Sequence, residues 1–311
     1  MEFRSKLKKI PFIYKGYKDY LQLREKMICL ISHFSPKWVS KIRYKKAFGR
    51  SLNLKQPTEF NEKLMWLKLN TYYKNPLVTK CADKVRVREY VKEKNCQDIL
   101  IECLGVYATV EEIPWGKLPE QFVLKCNHGS GYNIICTDKS KLNIREAEEK
   151  LRRWMKEDYS LAYAEVQYRS IRPLILCEKY IQPEHGKLPD DYKIYCFDGR
   201  AECVLLCQGR GEGECKFYYF NRKWEPLDWD IEMYGKNKKA IKKPMCFEKL
   251  ISYAEVLSQG FPFVRMDFYV IGSQVYFGEM TFTPCGCVDC DYTELGNREL
   301  SKMLRLPVQK A

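Results

Sequence analysis

Residues Phe263-Val-Arg265-Met-Asp267-Phe268, followed twelve residues after the aspartate by Glu279-Met-Thr281-Phe-Thr283-Pro284, constrain this chain more than any other stretch. Phe263 to Val270 is apolar with charge at alternate positions, Gly272-Ser273 marks a turn, and Val275 to Met280 is a second apolar run ending in a carboxylate. The pattern predicts an antiparallel hairpin. Pairing about that turn brings Asp267 and Glu279 together on one face, at a solvent-accessible cleft. Two carboxylates there hold either a proton or a metal. Magnesium bound with a nucleotide needs only one or two protein carboxylates and fills its other positions with phosphate oxygens and water. The plain alternative is a pair of exposed strand carboxylates.

The rest of the chain offers what a nucleotide would need. Phe122-Val-Leu-Lys125 is a short strand signal that runs into Cys126-Asn127-His128-Gly129-Ser130-Gly131-Tyr132-Asn133 before a second apolar run, Ile134 to Cys136. Glycines in such a connector let backbone N–H groups approach phosphate oxygens, with Lys125 as a cation at the base. A hairpin turn without a ligand has the same signature, and the loop lacks both a P-loop ending and a dinucleotide fingerprint. Leu174 to Ile181 is an apolar run interrupted by Glu178-Lys179, the usual look of a buried strand emerging into solvent. Ala82 to Val91 has a helical pattern whose Lys84, Arg86 and Arg88 suit a solvated basic face.

Together these segments resemble the ATP-grasp superfamily, and more closely its TupA-like branch, found with bacterial cell-surface polysaccharide and teichuronopeptide synthesis. The resemblance lies in Pro57 to Lys68, Asn75 to Lys84, Phe122 to Gly131, Asp191 to Gly199, and Phe261 to Asp267 with Gly278 to Pro284. It implies an α+β fold of two lobes with an ATP cleft between them, preceded here by a basic helical N-terminal extension. Lys84 and Lys125 match the lysines that neutralise ATP phosphates, and the loop with His128, Gly129, Ser130 and Gly131 matches the one that closes over them. Glu178, Lys179, Tyr180 and Ile181 match the adenine hinge, and Asp191 the acid on the ribose hydroxyls. By the same resemblance Lys193 and Lys216 would be further phosphate contacts, Arg265 matches the catalytic arginine near the transferred phosphoryl group, and Asp267, Glu279 and Thr281 would hold Mg2+.

Two departures stand out. Relatives usually carry Glu-x-Asn where this chain has Glu279-Met-Thr281, a weaker metal oxygen than an amide carbonyl. Where many have a glycine-rich turn, it has Cys285-Gly-Cys287-Val-Asp-Cys290, which reads as free thiols lining the substrate end or as three ligands of a zinc site lacking a fourth.

Composition sets the outer limits. At 311 residues and 37.0 kDa, with 45% hydrophobic and 30% charged residues, the chain can bury a sizeable core. Fifteen cysteines and no signal peptide point to a reducing, cytoplasmic location. His33, His128 and His185 stand in no nucleophile motif. The net charge of +14 is uneven: residues 1–50 hold 14 Lys and Arg against 3 acids, a net of +11, leaving +3 for the rest. In that stretch Phe3, Leu7, Ile10, Phe12, Tyr14, Tyr17 and Tyr20 interleave with basic residues. The mixture suits an anionic membrane surface, met peripherally on its inner face, a lipid-linked or acidic glycan, or nucleic acid; a solvated basic helix packed on the core explains it equally well.

A coarse division follows: residues 1–75 as the mainly helical extension, 76–176 as the N-lobe with the glycine-rich loop, and 177–311 as the C-lobe with the metal hairpin. Within them, Phe60, Leu64 and Leu67 form a helical stripe. A helix follows Asn143, capped with help from Glu146, with Ala147, Leu151 and Trp154 inward. Another spans Phe247 to Leu257. The leading function is an ATP-dependent carboxylate–amine ligase that forms ADP, with a glycan or lipid-linked precursor as substrate. A glycosyltransferase and a non-catalytic binder of an anionic polymer are the alternatives. No signature of specific nucleic-acid binding appears.

Overall fold

The structure, a computed structural model, describes residues 11–184, 188–211, 215–236 and 241–307. Phe3, Leu7, Ile10 and His185 lie outside them, as do the side chains of Phe12, Tyr14 and Tyr17. In chain order the helices are α1 (Pro11–Phe34), α2 (Pro36–Phe48), α3 (Phe60–Leu69), α4 (Pro76–Ala82), α5 (Val87–Glu93), α6 (Ile144–Lys156), α7 (Phe247–Ser258) and α8 (Glu294–Met303). The strands are β1 (Cys103–Tyr107), β2 (Phe122–Cys126), β3 (Asn133–Cys136), β4 (Ile175–Lys179), β5 (Asp191–Phe197), β6 (Arg200–Gln208), β7 (Lys216–Asn221), β8 (Pro226–Leu227), β9 (Phe263–Ile271) and β10 (Gln274–Thr281). They form two sheets, ordered β1-β4-β2-β3 and β10-β9-β5-β6-β7-β8, with every pairing antiparallel. Strand β4 straddles the expected border at residue 177.

Local chemistry starts the helices where the sequence suggests. The Asn143 side chain accepts from the Glu146 amide at 3.1 Å, Ala147 and Leu151 are buried, and Trp154 is half-buried. Ser35 caps α2, with Pro36 at its first position, and Gly49 ends it at φ 71°. The expected helix through Ala82–Val91 is interrupted. Asp83 accepts from the Val85 and Arg86 amides at 2.9 and 3.3 Å, closing a turn, so α5 starts only at Val87 and Lys84 sits on the turn.

The larger sheet is covered on both faces. Val264, Met266, Phe268, Ile194 and Cys196 alternate onto one face and are buried, with α7 in contact with β5, β6 and β9. On the other face Phe197 and Phe263 meet Phe60 of α3, whose ring centre lies 5.5 Å from that of Phe263 and 5.8 Å from that of Tyr292. Phe60, Leu64 and Leu67 are buried as expected, but so are Met65, Trp66 and Lys68. A helix covered on all sides is part of the core. The segment expected as an extension therefore divides: α3 is wedged between the sheet and α8, where Lys63 donates to the Ser301 and Leu304 carbonyls at 2.6 and 2.9 Å, α2 joins the same core through Tyr44, and α1 packs in a separate small cluster through Ile28.

Candidate active site

The hairpin β9–β10 forms as expected, with one refinement. Pairs from Gln274↔Ile271 to Phe277↔Phe268 run in regular register, then the ladder slips so that Glu279 pairs with Asp267 and Thr281 with Arg265. Gly278 is the extra residue. Continued regularly, the ladder would set Glu279 opposite Met266, whose side chain faces α7, because side chains alternate with period two. The bulge returns Glu279 to the face of Asp267. A Cβ at Gly278 would stand 2.8 Å from the Asp267 carbonyl oxygen, so the close approach requires glycine.

Across β5, β9 and β10 this produces two polar rows on one face, Lys193–Asp267–Glu279 and Tyr195–Arg265–Thr281. Arg265 donates from Nε and Nη2 to the two Asp267 oxygens, each at 2.7 Å, and Lys193 Nζ reaches Asp267 Oδ2 at 2.6 Å. Burial would raise the Asp267 carboxyl, but Arg265 and Lys193 outweigh it and hold the group below its usual range. Glu279 is held low against burial, chiefly by Lys84, whose Nζ lies 3.5 Å from Oε2. Thr281 donates to Glu279 Oε1 at 3.2 Å and accepts from Arg265 at 3.3 Å. Asp267 is buried rather than open to the cleft as expected; Glu279 is half-exposed.

The smaller sheet contributes the opposite wall. Strand β2 alternates buried Phe122, Leu124 and Cys126 with half-buried Val123 and Lys125, which turns Lys125 toward the cleft, where its Nζ donates to Glu178 Oε2 at 2.7 Å. Arg88 takes Glu178 Oε1 at 2.8 Å. Arg88 is thus paired across 90 residues, not part of a solvated basic face. Between the sheets, Lys125, Glu178, Lys179, Tyr180, Ile181 and Tyr269 line a cavity of about 80 Å3, narrower than typical ligand pockets. Asp191 beside it is buried. Its Oδ2 accepts from Lys193 and Arg210, both at 2.7 Å, while its Oδ1 has no hydrogen-bond partner. Burial raises its carboxyl despite those cations.

The glycine loop hangs over the row. Lys84 donates to the Gly129 carbonyl, Gly131 adopts φ 79°, and Ser130 lines a second cavity of about 610 Å3 with Arg265, Glu279 and Glu165. His128 is buried, its Nε2 at 3.1 Å from the Trp154 carbonyl and its Nδ1 without a partner, and burial lowers its basicity. The loop base is pinned by a residue the sequence reading passed over. Asn127 donates to Asp83 Oδ1 at 2.9 Å and accepts from the Leu174 amide at 2.7 Å, and its carbonyl accepts from the Lys84 amide.

Lys216 stands apart. It opens β7 opposite Gln208, on the face alternate to Phe217 and Tyr219, and is exposed. Arg210, which the sequence did not single out, is the cation that reaches the site, through its pairing with Asp191. Cys285 lines the larger cavity, in a turn where it, Gly286 and Cys287 all have positive φ. Among the described residues no three His, Cys, Asp or Glu side chains are grouped to hold a metal. The Asp267–Glu279 pair fits a magnesium ion that draws further ligands from phosphate and water: two carboxylates held anionic on one row are hard oxygen donors.

Two antiparallel sheets that face each other across a cleft of lysines and carboxylates have the ATP-grasp architecture. The chain belongs to the TupA-like ATP-grasp family, whose sequence profile matches residues 62–304. No curated protein matches it in sequence. Among solved structures it is similar to D-alanine–D-alanine ligase from Bacillus anthracis, with 14% identity over 72% of this chain and 66% of that one at a TM-score of 0.43. It is also similar to the same ligase from Helicobacter pylori, with 18% identity over 72% and 61% at 0.36. D-cycloserine synthetase DcsG gives 13% over 74% and 71% at 0.41. The chain thus spans less than two thirds of the length of the Helicobacter pylori enzyme.

Proposed function

We propose that the chain is an ATP-dependent carboxylate–amine ligase that forms ADP and phosphate through an acyl phosphate, acting in the cytoplasm in cell-surface polysaccharide or teichuronopeptide assembly. One observation carries the reading: the row Lys193–Asp267–Glu279 with Arg265 beside it, approached by Lys84 from across the cleft. A polyphosphate needs such an arrangement, and with the family match it favours ATP over the diphosphate of a sugar nucleotide. In this reading the cavity walled by Lys179, Tyr180 and Ile181 opens to receive adenine, Asp191 accepts from the ribose hydroxyls through its unpartnered oxygen, and Lys84, Lys125 and the His128–Gly131 loop hold phosphate oxygens. Magnesium, held by Asp267 and Glu279 with help from Thr281, neutralises phosphate charge when bound.

A carboxylate oxygen then attacks the γ-phosphorus as ADP leaves, and an amine displaces phosphate from the acyl carbon. Arg265 steadies the charge that develops on the transferred group. The cavity with Glu165 and Cys285 takes the acceptor, a glycan or lipid-linked precursor. Residues 76–176 and 177–311 act as the two lobes about the Lys179–Ile181 hinge, and residues 1–50 make peripheral contact with an anionic membrane. Purified protein with ATP, a panel of candidate carboxylates and hydroxylamine in place of the amine should yield ADP, phosphate and the hydroxamate of the accepted carboxylate. AMP, or sugar transfer without ATP, would overturn the reading.

A further inference from the structure

Helix α1 has two unlike faces. On one, Ile28 and Ser32 are buried, Ile28 clusters with Val39 and Ala164, and Arg43 joins Glu25 at 2.5 Å and the Ala162 carbonyl at 2.7 Å. Arg169 reaches the Ser32 carbonyl at 2.9 Å. These contacts fix α1 and α2 on the body of the protein. On the other face Tyr20, Leu23, Met27, Leu30 and Phe34 follow at i, i+3, i+7, i+10 and i+14, each between 56% and 84% exposed. At 3.6 residues per turn they form one stripe on the helix surface. Trp38, at the start of α2, is exposed as well. Single exposed apolar residues are ordinary; a contiguous stripe of large ones marks a docking surface.

Charge identifies the occupant. Residues 19–50 hold eight Lys and Arg against Asp19 and Glu25, and Glu25 is already paired with Arg43. Between the helices lies a groove of about 540 Å3 with Ile28, Ile31 and Ile42 on its floor and Arg24, Lys45 and Lys46 at its rim. A second copy of the chain would set cations against cations, and two heptads are too short for a coiled coil. A nucleic acid would engage the cations but leave the stripe bare. An anionic bilayer satisfies both, with phosphates on the rim and apolar side chains at the boundary between headgroups and acyl chains. Among the described residues no helix is long and apolar enough to cross a membrane, so α1 would lie in the interface plane.

We propose that the exposed face of α1, with the cationic rim of α2, docks this protein on an anionic phospholipid surface. The inference rests on the membrane reading of residues 1–50 given above and narrows it to one face. Intact protein should co-sediment with vesicles of equimolar phosphatidylglycerol and phosphatidylcholine, less so as salt is raised, and not with phosphatidylcholine alone. The double variant Leu23→Asp/Leu30→Asp, changed only at exposed positions, should lose about tenfold or more in partitioning, while Mg-ATP still raises its Tm as it does for the native chain. Lys45→Glu/Lys46→Glu should weaken binding to the same vesicles. If the leucine variant binds normally and glutamines at Arg4, Lys6, Lys8 and Lys9 abolish binding, the stripe is overturned but the membrane reading stands. Intact protein that ignores both vesicles overturns both, and a dimer dispersed by the leucine variant without vesicle binding assigns the face to self-association.

Discussion

Replacing Gly278 by alanine tests whether the bulge, rather than the hairpin as such, builds the carboxylate pair. The new methyl would stand 2.8 Å from the Asp267 carbonyl oxygen and 3.3 Å from its carbon, well inside the roughly 3.5–4.0 Å of an ordinary contact. Both are backbone atoms of a strand paired on both sides, so neither yields as a flexible side chain would. Overpacking of this kind costs about 1–3 kcal/mol, and alanine regains about 0.5–1 kcal/mol over glycine in a strand, which leaves a net loss on the order of 1–2 kcal/mol. The ladder can relieve the clash by continuing in regular register, which would turn Glu279 to the face of Met266. Magnesium-dependent turnover should therefore fall far more than stability does. Gly116→Ala, where a Cβ meets nothing within 4 Å, is the control and should change neither. Urea unfolding and the magnesium dependence of ADP formation measure the two effects. An alanine variant that matches the native chain in both would refute the reasoning. Deletion of Gly278 sharpens the test, since a regular ladder would then carry Glu279 directly opposite Asp267 and should restore part of the metal response.

Three further outcomes follow from the same geometry. Asp267→Asn and Glu279→Gln should both abolish magnesium-dependent turnover, but only the first should cost about 3–5 kcal/mol in urea unfolding, because it leaves the Arg265 guanidinium buried without its carboxylate, whereas Lys193 keeps Asp191; equal stability losses would count against the burial difference. Arg210→Ala should weaken ATP binding in calorimetry whereas Lys216→Ala should leave it unchanged, and the reverse result would show that β7 swings toward the cleft. Glu165, which accepts from Thr283 at 2.7 Å, is raised by burial from 4.5 to about 6, so the unfolded chain ionises first and the folded state loses stability as pH rises from about 4.5 to 6. The loss is about 2 kcal/mol, at 1.36 kcal/mol per pH decade. Glu165→Gln should match the native chain at the acid end of that window and exceed it by about that much at pH 7, and a difference that does not vary with pH would contradict the shift.

Much of the fold was readable from local pattern. The hairpin, the Asn143 cap and helix α7 depend on neighbours within a few residues, and periodicity reports those. What escaped depends on pairs distant in the chain. Arg88 and Glu178 are 90 residues apart and Asn127 and Asp83 are 44 apart; only the order of strands brings them together. Residue type alone did not give the face of Lys216, which opens β7 on the side away from the cleft, and Arg210, just after β6, drew no notice although it pairs with Asp191. The stripe at Phe60, Leu64 and Leu67 was correct, yet it could not show that α3 is covered on its remaining sides, because the covering residues belong to β9 and α8 more than 200 positions away.

The charge balance makes the same point about function. By sequence, residues beyond 50 carry only +3, which suggests little attraction for an anion. Folded, the cleft gathers Lys84, Arg88, Lys125, Lys193, Arg210 and Arg265 around Glu178, Asp191, Asp267 and Glu279. The larger cavity beside this row adds Glu165, Asp230, Asp289 and Asp291, so the cations gather at the end bordered by the smaller sheet, where low-dielectric walls focus their field. The carboxylates also keep the cations from repelling one another before any ligand arrives: Glu178 accepts from both Arg88 and Lys125, and Asp267 from both Arg265 and Lys193. A polyphosphate can therefore enter by exchanging partners with Lys125 and Lys193 while the buried charges of Glu178 and Asp267 keep their arginines, so neither carboxylate is left unpaired in the exchange.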